Sequence, residues 1–271
     1  MRIPAVAGQF YAGDRKDLVR QIEECFRSPL GPQAVPDVRA GPRKILGGVT
    51  PHAGFVFSGP VAAHLFASIA EDGLPETFVI IGPNHTGGGS GIALTTEDFE
   101  TPLGVARVDL DLAQALRKDL IDVDPQAHHY EHSIEVQLPF LQYLSDDFKF
   151  VPISMAFQDI DAATSVGETI RDAVKGRDAA VLASSDMSHY VTAETAHRKD
   201  RMALDAIERM DAKALYDVVL SENISMCGYG PVMAMITACS GGTARVLKYA
   251  TSGDVRPMND VVGYASVIVE K

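Results

Sequence analysis

The chain has 271 residues, of which 46% are hydrophobic, and a formal net charge of −12 at pH 7. This length suffices for a sizeable core, and the absence of any basic block argues against a nucleic-acid-binding surface. No apolar stretch reaches the 18 residues of a membrane span, and the first residues lack the apolar run of a signal peptide. Three cysteines form an odd, sparse set that indicates a reducing compartment, so we expect a cytoplasmic protein.

Taken in chain order, the apolar pattern predicts helices that alternate with buried strands. Helices are predicted at 14–28, 58–72, 111–121, 131–144 with a kink or restart at Pro139, 161–176, 192–210, 211–221 and 230–242. Strands are predicted at 44–49, 76–85, twice within 91–111, and at 148–155, 178–190, 244–254 and 261–270. This alternation is typical of an α/β fold with a mostly parallel sheet flanked by helices, and we expect residues 1–271 to form a single domain.

Histidines follow three of the predicted strands. His52 follows the first strand, His85 follows FVIIGPN at the end of the second segment, and His189 follows AVLASSDMS in the polar turn that ends the segment 178–190, with Asp186 just before it. Ligands of parallel sheets bind beyond the carboxyl ends of the strands, and neutral imidazole is the commonest metal ligand. If these strands are parallel neighbours, the histidines form a metal site; otherwise each is an ordinary polar loop residue.

Two further segments contain candidate site residues. In HHYEHSIEVQLPFL, a helix would place Glu131 and Glu135 one turn apart on the same face, and His128 and His132 would also share a face. These residues would either orient metal-bound imidazoles or form a solvated helix start. In SMCGYGPVMAMI, Cys227 precedes a helix N-terminus, where a thiol can have a lowered pKa and act as a ligand or nucleophile. Cys25 and Cys239 are expected to be inert core thiols.

Seven blocks together resemble the Memo family, named after a mediator of ErbB2-driven cell motility. They are PAVAGQFY, PHAGFVFSG, IIGPNH, EHSIEVQLPFL, ASSDMSH, MCGYGP and VVGYASV, and they extend from Pro4 to the last predicted strand. The resemblance implies a fold similar to the class III non-haem iron extradiol dioxygenases. It also implies binding of iron or copper, redox chemistry, and gene neighbourhoods that contain radical-SAM proteins.

The resemblance also assigns the site residues. His52, His85 and Cys227 are implied as metal ligands, and Asp186 and His189 as residues at the edge of the pocket, with His189 as the acid/base. The implied cleft wall comprises Glu131, His132 and Glu135. The dioxygenases hold iron with two histidines and one carboxylate, whereas this chain offers a thiolate, which favours iron, copper or zinc. Ring cleavage therefore does not transfer directly from the dioxygenases.

Three hypotheses remain open from the sequence. The first is a metal-dependent redox reaction on a small molecule, with His189 oriented by Asp186. The second is binding of a small-molecule or peptide ligand without chemistry. The third is a hydrolase in which zinc activates water and His189 or Glu135 is the base. A metal-free triad of Ser184 or Ser185 with Asp186 and His189 is a weaker form of the third hypothesis.

Overall fold

A computed structural model describes residues 1–118 and 120–271 of the chain. The strands are β1 (Ile45–Thr50), β2 (Thr77–Pro83), β3 (Ile92–Leu94), β4 (Phe99–Thr101), β5 (Gly104–Val108), β6 (Asp122–Val123), β7 (Lys149–Met155), β8 (Ala179–Ser184), β9 (His189–Val191), β10 (Thr243–Thr251) and β11 (Val261–Glu270). The α-helices are α1 (Arg15–Arg27), α2 (Gly59–Asp72), α3 (Leu110–Leu116), α4 (Leu138–Leu144), α5 (Ile160–Val174), α6 (Ala193–Glu208), α7 (Ala212–Ser221), α8 (Tyr229–Ala238) and α9 (Ser252–Val255). Short 3-10 helices occupy Pro125–His128 and Glu135–Gln137.

One mixed sheet runs through the fold in the order β10-β11-β1-β8-β2-β7-β3-β6. Its four central strands, β1, β8, β2 and β7, are mutually parallel. Antiparallel strands extend both sides, with β11 beside β1 and β3 beside β7. The expected α/β fold with a mostly parallel central sheet is therefore confirmed, and β1, β8 and β2 are parallel neighbours as the histidine argument requires.

Helices cover both faces of this sheet. Side chains of successive strand residues point to opposite faces. A Cβ added at Gly47 would meet the sulfur of Cys239 at the end of α8, whereas one added at Gly48 would meet Leu65 in α2. Hence α8 and α2 pack on opposite faces. Central strand β2 is buried along its whole length, as expected for a strand between two helical layers.

Several predicted elements differ from the structure. The segment at 91–111 forms three strands instead of two, because β3 joins the main sheet while β4 and β5 pair as a hairpin. The helix predicted at 111–121 ends at Leu116, and its Asp119 lies outside the described residues. Within the described ranges, no helix is both long and apolar enough to span a membrane.

The helix predicted from Glu131 is also wrong in its first half. A 3-10 turn occupies Glu135–Gln137, and the α-helix begins only at Leu138, with Pro139 in its first turn. The Glu131 carboxylate accepts hydrogen bonds from the backbone N–H groups of His132 and Ser133, which competes with helical bonding. Pro139 has no N–H to donate to the preceding turn, so it is tolerated only in the first turn of a helix. Of the two predicted alternatives, a kink or a restart at Pro139, the structure shows the restart.

Candidate metal centre

The site lies at the carboxyl ends of three neighbouring parallel strands. His52 comes two residues after β1, His85 two residues after β2, and Asp186 two residues after β8, which lies between them. The rings of His52 and His85 contact each other edge to face, with centroids 5.1 Å apart. Sheet topology therefore brings together histidines that are 33 residues apart in the printed sequence.

A cysteine from the far end of the chain completes the donor group. One ligand atom each from His52, His85 and Cys227 lies within 4.8 Å of the others. The Cys227 sulfur is 3.2 Å from His52 Nε2. Cys227 sits two residues before α8, which packs on the sheet beside β8 and β2. The ligand set implied by the resemblance is thus assembled in space, although no metal is shown by this geometry.

The second ring nitrogen of His52 has a buried partner. Its Nδ1 lies 2.8 Å from Ser184 Oγ. The Ser184 hydroxyl donates its proton to the backbone carbonyl of Ser133 at 2.7 Å, so it accepts from Nδ1–H. This assigns the proton of neutral His52 to Nδ1 and leaves the Nε2 lone pair facing Cys227. Burial, followed by the charges of neighbouring histidines, holds the pKa of His52 well below 6.5, which favours the neutral, ligating form.

His85 is oriented by a carboxylate. Its Nδ1 lies 3.0 Å from Glu131 Oε1, which leaves Nε2 as the free ring nitrogen. Burial lowers the pKa of His85, but the hydrogen bond and negative charge of Glu131 outweigh burial and raise it overall. Burial alone raises the pKa of Glu131, yet bonding to His85 lowers it to about 2, so the carboxylate is ionised. Carboxylate–histidine pairs of this kind are typical partners of metal ions.

His132 adds a third imidazole to the site. Its ring stacks on that of His85 with centroids 4.7 Å apart, and its centroid is 5.5 Å from that of His52. Ligand atoms of His85, Glu131 and His132 form a second close group, which shares His85 with the first. Burial is the main cause that lowers the pKa of His132. His132 and Glu131 therefore lie beside His85, and their role as cleft wall stays a prediction.

The thiol of Cys227 differs from the sequence expectation. A thiol before a helix N-terminus can have a lowered pKa, but burial and then the negative charge of Asp186 raise the pKa of this one. The backbone N–H of Asp186 lies 3.3 Å from the sulfur and offsets only part of this effect. In the metal-free site the sulfur is thus a protonated thiol, and it becomes a thiolate only if a cation replaces the proton.

Asp186 does not orient His189, contrary to the sequence hypothesis. The buried Asp186 carboxylate accepts the backbone N–H of His52 at 2.8 Å. The His189 ring instead donates from Nδ1 to the carbonyl of Ser225 at 2.8 Å. Ser225 also accepts the His189 backbone N–H through its hydroxyl, at 2.7 Å. Ser225 thus positions His189, and Asp186 positions the turn of His52.

Electrostatic interactions nevertheless connect Asp186 and His189 with the same site. Burial raises the pKa of Asp186 to about 6, and the charge of His189 is among the effects that oppose this shift. His189 also contributes to the lowered pKa of His52. His189 lies outside the close donor group, and because its Nδ1 is bonded to a carbonyl, Nε2 is its available proton acceptor. Its assignment as acid/base stays a prediction.

Glu135 is not part of the cleft wall. It is 0% exposed, and its carboxylate accepts hydrogen bonds from Arg2, Tyr11 and the backbone N–H groups of Ala5 and Val6. Because the segment around Glu131 is not a helix, Glu131 and Glu135 do not share a helix face. Glu135 therefore has no free oxygen for the base role that the hydrolase hypothesis offered it.

The metal-free triad is likewise contradicted. Ser184 bonds His52 and Ser133, and Ser185 donates to the carbonyl of Asp186 and accepts from the N–H of Gly228. Neither hydroxyl bonds His189 within the described residues. Cys25 and Cys239 are buried, as expected of core thiols, and burial raises the pKa of each to about 12.

Sequence reasoning missed two contributors to the site. The sequence suggests Ser184 only as a nucleophile, and no motif points to Ser225. Nothing in the local pattern marks either residue, because their roles depend on histidines that lie 132 and 36 positions away.

Comparisons with known proteins identify the family of the chain. The family model described as "Memo-like protein" matches residues 2–268. A MEMO1 family protein of Methanopyrus kandleri is 47% identical over 280 residues, covering 100% of this chain and 99% of the relative. One from Methanosarcina acetivorans is 46% identical over 277 residues, with the same coverage. An uncharacterized Escherichia coli K12 protein of known structure has a TM-score of 0.48 and 15% identity, over 72% of this chain and 86% of that one. The chain therefore belongs to the Memo family.

Proposed function

We propose that the protein binds one transition-metal ion, iron or copper, through His52, His85 and Cys227, and that the site performs redox chemistry on a small molecule. The observation that supports this most strongly is the convergence of three donor atoms within 4.8 Å of one another. Both imidazoles have their Nδ1 atoms engaged, by Ser184 and Glu131, which leaves both Nε2 atoms available.

The donor set fits such an ion. Two imidazoles and one thiolate are ligands of intermediate to soft character, which select iron, copper or zinc over magnesium or calcium. Three protein ligands leave coordination positions for a substrate, and a redox-active metal would supply electron transfer to or from it.

The surrounding residues would prepare this site in three ways. Glu131 and Ser184 orient the ligand rings through hydrogen bonds. Asp186 holds the backbone N–H of His52 and so fixes the turn after β1. His189 Nε2 would accept or return a proton of the substrate, with the ring held by Ser225.

The test is metal content after purification without oxygen, measured by mass spectrometry of the elements. We expect about one iron or copper per chain in the wild type and a strong loss in His52→Ala, His85→Ala and Cys227→Ala. The matched control is His129→Ala, because His129 is an exposed histidine in the same region that belongs to neither donor group. Unchanged metal content in the three ligand variants would contradict the proposal.

Zinc is a second candidate because the same His/His/Cys set suits it and a zinc site with an open position activates water. His189 is then the remaining base candidate, since Glu135 is fully bonded. Zinc as the only bound metal, with hydrolysis of an ester, amide or phosphate substrate that is lost in His189→Ala, would favour this function. Metal or ligand binding with no turnover would instead favour the non-catalytic small-molecule or peptide binder.

A further inference from the structure

Arg2 is a buried arginine that contacts the segment carrying Glu131. Its side chain is 2% exposed. Its guanidinium donates to the carbonyl oxygens of His128 and Glu131 and to the Glu135 carboxylate. It also lies over the ring of Phe99, 4.7 Å from the centroid. The backbone of Arg2 bonds to Asp98 and Glu100, so Arg2 is attached to β4 as well.

Glu135 also contacts the N-terminal residues. Its carboxylate accepts from Arg2, from the Tyr11 hydroxyl, from Ala5 N at 2.8 Å and from Val6 N at 3.1 Å. All of these partners lie 124 or more positions away in the chain. We call Arg2, Tyr11 and Glu135 the N-terminal clasp.

The clasp is connected to the metal centre through Glu131. The Glu131 carbonyl accepts from Arg2, while its carboxylate accepts from Nδ1 and the backbone N–H of His85. Residues 129–134 belong to no helix or strand, so no ladder of backbone bonds sets their conformation. The backbone bonds there are local, such as Glu131 N–H to the His128 carbonyl at 3.3 Å, and Arg2 adds side-chain donors to the carbonyls of both residues.

We propose that Arg2 is a positioning residue for the metal centre: through the clasp it holds Glu131, and through Glu131 it sets the orientation of His85. This inference rests on the proposed function, because it assigns the N-terminal residues a role in metal affinity. Arginine is required in this role because its planar guanidinium donates in several fixed directions, which a lysine ammonium cannot match.

The test uses the full chain with two variants. Arg2→Lys keeps the charge opposite Glu135 but loses the planar fork. The double variant Arg2→Met with Glu135→Gln removes both buried charges, so neither is left unpaired. Co²⁺ titration under anaerobic conditions measures affinity and, through the thiolate and ligand-field bands, the coordination of the ion. Hydrogen exchange measures protection of the His85 amide.

Both variants should weaken Co²⁺ binding by about 10- to 100-fold, the usual range for groups that orient metal ligands. They should also alter the ligand-field bands and speed exchange at His85. Leu112→Ala is the control for destabilisation alone, because buried Leu112 in α3 lies near the amino end of β7, at the opposite edge of the sheet. It should lower the melting temperature without changing the Co²⁺ affinity or bands of the folded protein.

The outcomes separate the two proposals. If the wild type binds Co²⁺ and both Arg2 variants bind it within twofold with unchanged bands, the positioning role is overturned while metal binding stands. If the wild type binds no Co²⁺ and also contains no iron or copper, the metal function fails, and His85 exchange still decides whether the clasp positions His85. Exchange that accelerates no more than in Leu112→Ala would overturn the clasp in that case.

Discussion

Glu131→Gln is the sharpest test of how the carboxylate supports His85. Glu131 is 2% exposed and accepts from His85 Nδ1, His85 N–H, and the N–H groups of His132 and Ser133. Glutamine has nearly the same shape, but its NH₂ group would face N–H groups that the carboxylate accepts. The substitution therefore removes charge and acceptor capacity with little change in packing.

The magnitude follows from the lowered pKa of Glu131. Its ordinary value is 4.5 and its value in the folded chain is about 2, a difference that corresponds to about 3 kcal/mol in favour of the ionised carboxylate. Because the folded pKa is depressed, this stabilisation is fully present above pH 4.5 and is lost as the pH falls through about 2. Metal-free Glu131→Gln should thus be about 3 kcal/mol less stable than wild type at pH 7, and the difference should shrink below pH 4.5.

The assay is urea denaturation of the metal-free proteins at several pH values, followed by metal titration at pH 7. The variant should also bind metal about 10- to 100-fold more weakly, because His85 loses its partner. Glu168→Gln is the control, since Glu168 is exposed on α5 and its pair with Arg171 contributes little. A stability difference that does not vary with pH, or metal affinity equal to that of wild type, would refute the reasoning.

Three further predictions concern buried groups around the site. Glu135→Gln should cost about 3–5 kcal/mol in urea denaturation because the charge of Arg2 is left unpaired, against less than about 1 kcal/mol for exposed Glu24→Gln; equal losses would contradict the clasp. Burial raises the pKa of Asp200, so its contribution to stability is greatest below the ordinary value of 3.8 and declines as the pH rises through the raised value. In urea denaturation at a series of pH values above 4, Asp200→Asn should therefore gain stability relative to wild type as the pH rises. A stability difference that stays constant with pH would refute this. Gly82→Ala should cost about 1–3 kcal/mol in the same assay, because its Cβ would clash with Ser133 Oγ. If the double variant Gly82→Ala with Ser133→Ala regains none of this stability, the clash is not the cause.

The strand-end histidines could be located from local pattern alone. A buried apolar run followed by a proline or glycine turn predicts a strand and its end, and alternation with helices predicts a parallel sheet. These rules depend only on neighbouring residues, so the sequence alone predicts that His52 and His85 lie at one edge of the sheet. The position of Cys227 before a helix marks it as a possible ligand or nucleophile, but only the resemblance of MCGYGP to its family motif assigns it to the same metal as the two histidines.

The roles of the acidic residues depended on contacts that no local rule describes. Helical periodicity paired Glu131 with Glu135, but Glu131 bonds its own backbone and His85, while Glu135 bonds residues near the start of the chain. Asp186 adjoins His189 in sequence, yet a turn directs it to the N–H of His52 and leaves His189 to Ser225. Hydrogen-bond partners separated by more than a hundred residues are chosen by packing of the whole sheet. The chain's local patterns therefore specify which residues reach the site, and only the packed fold specifies which atom each of them contacts.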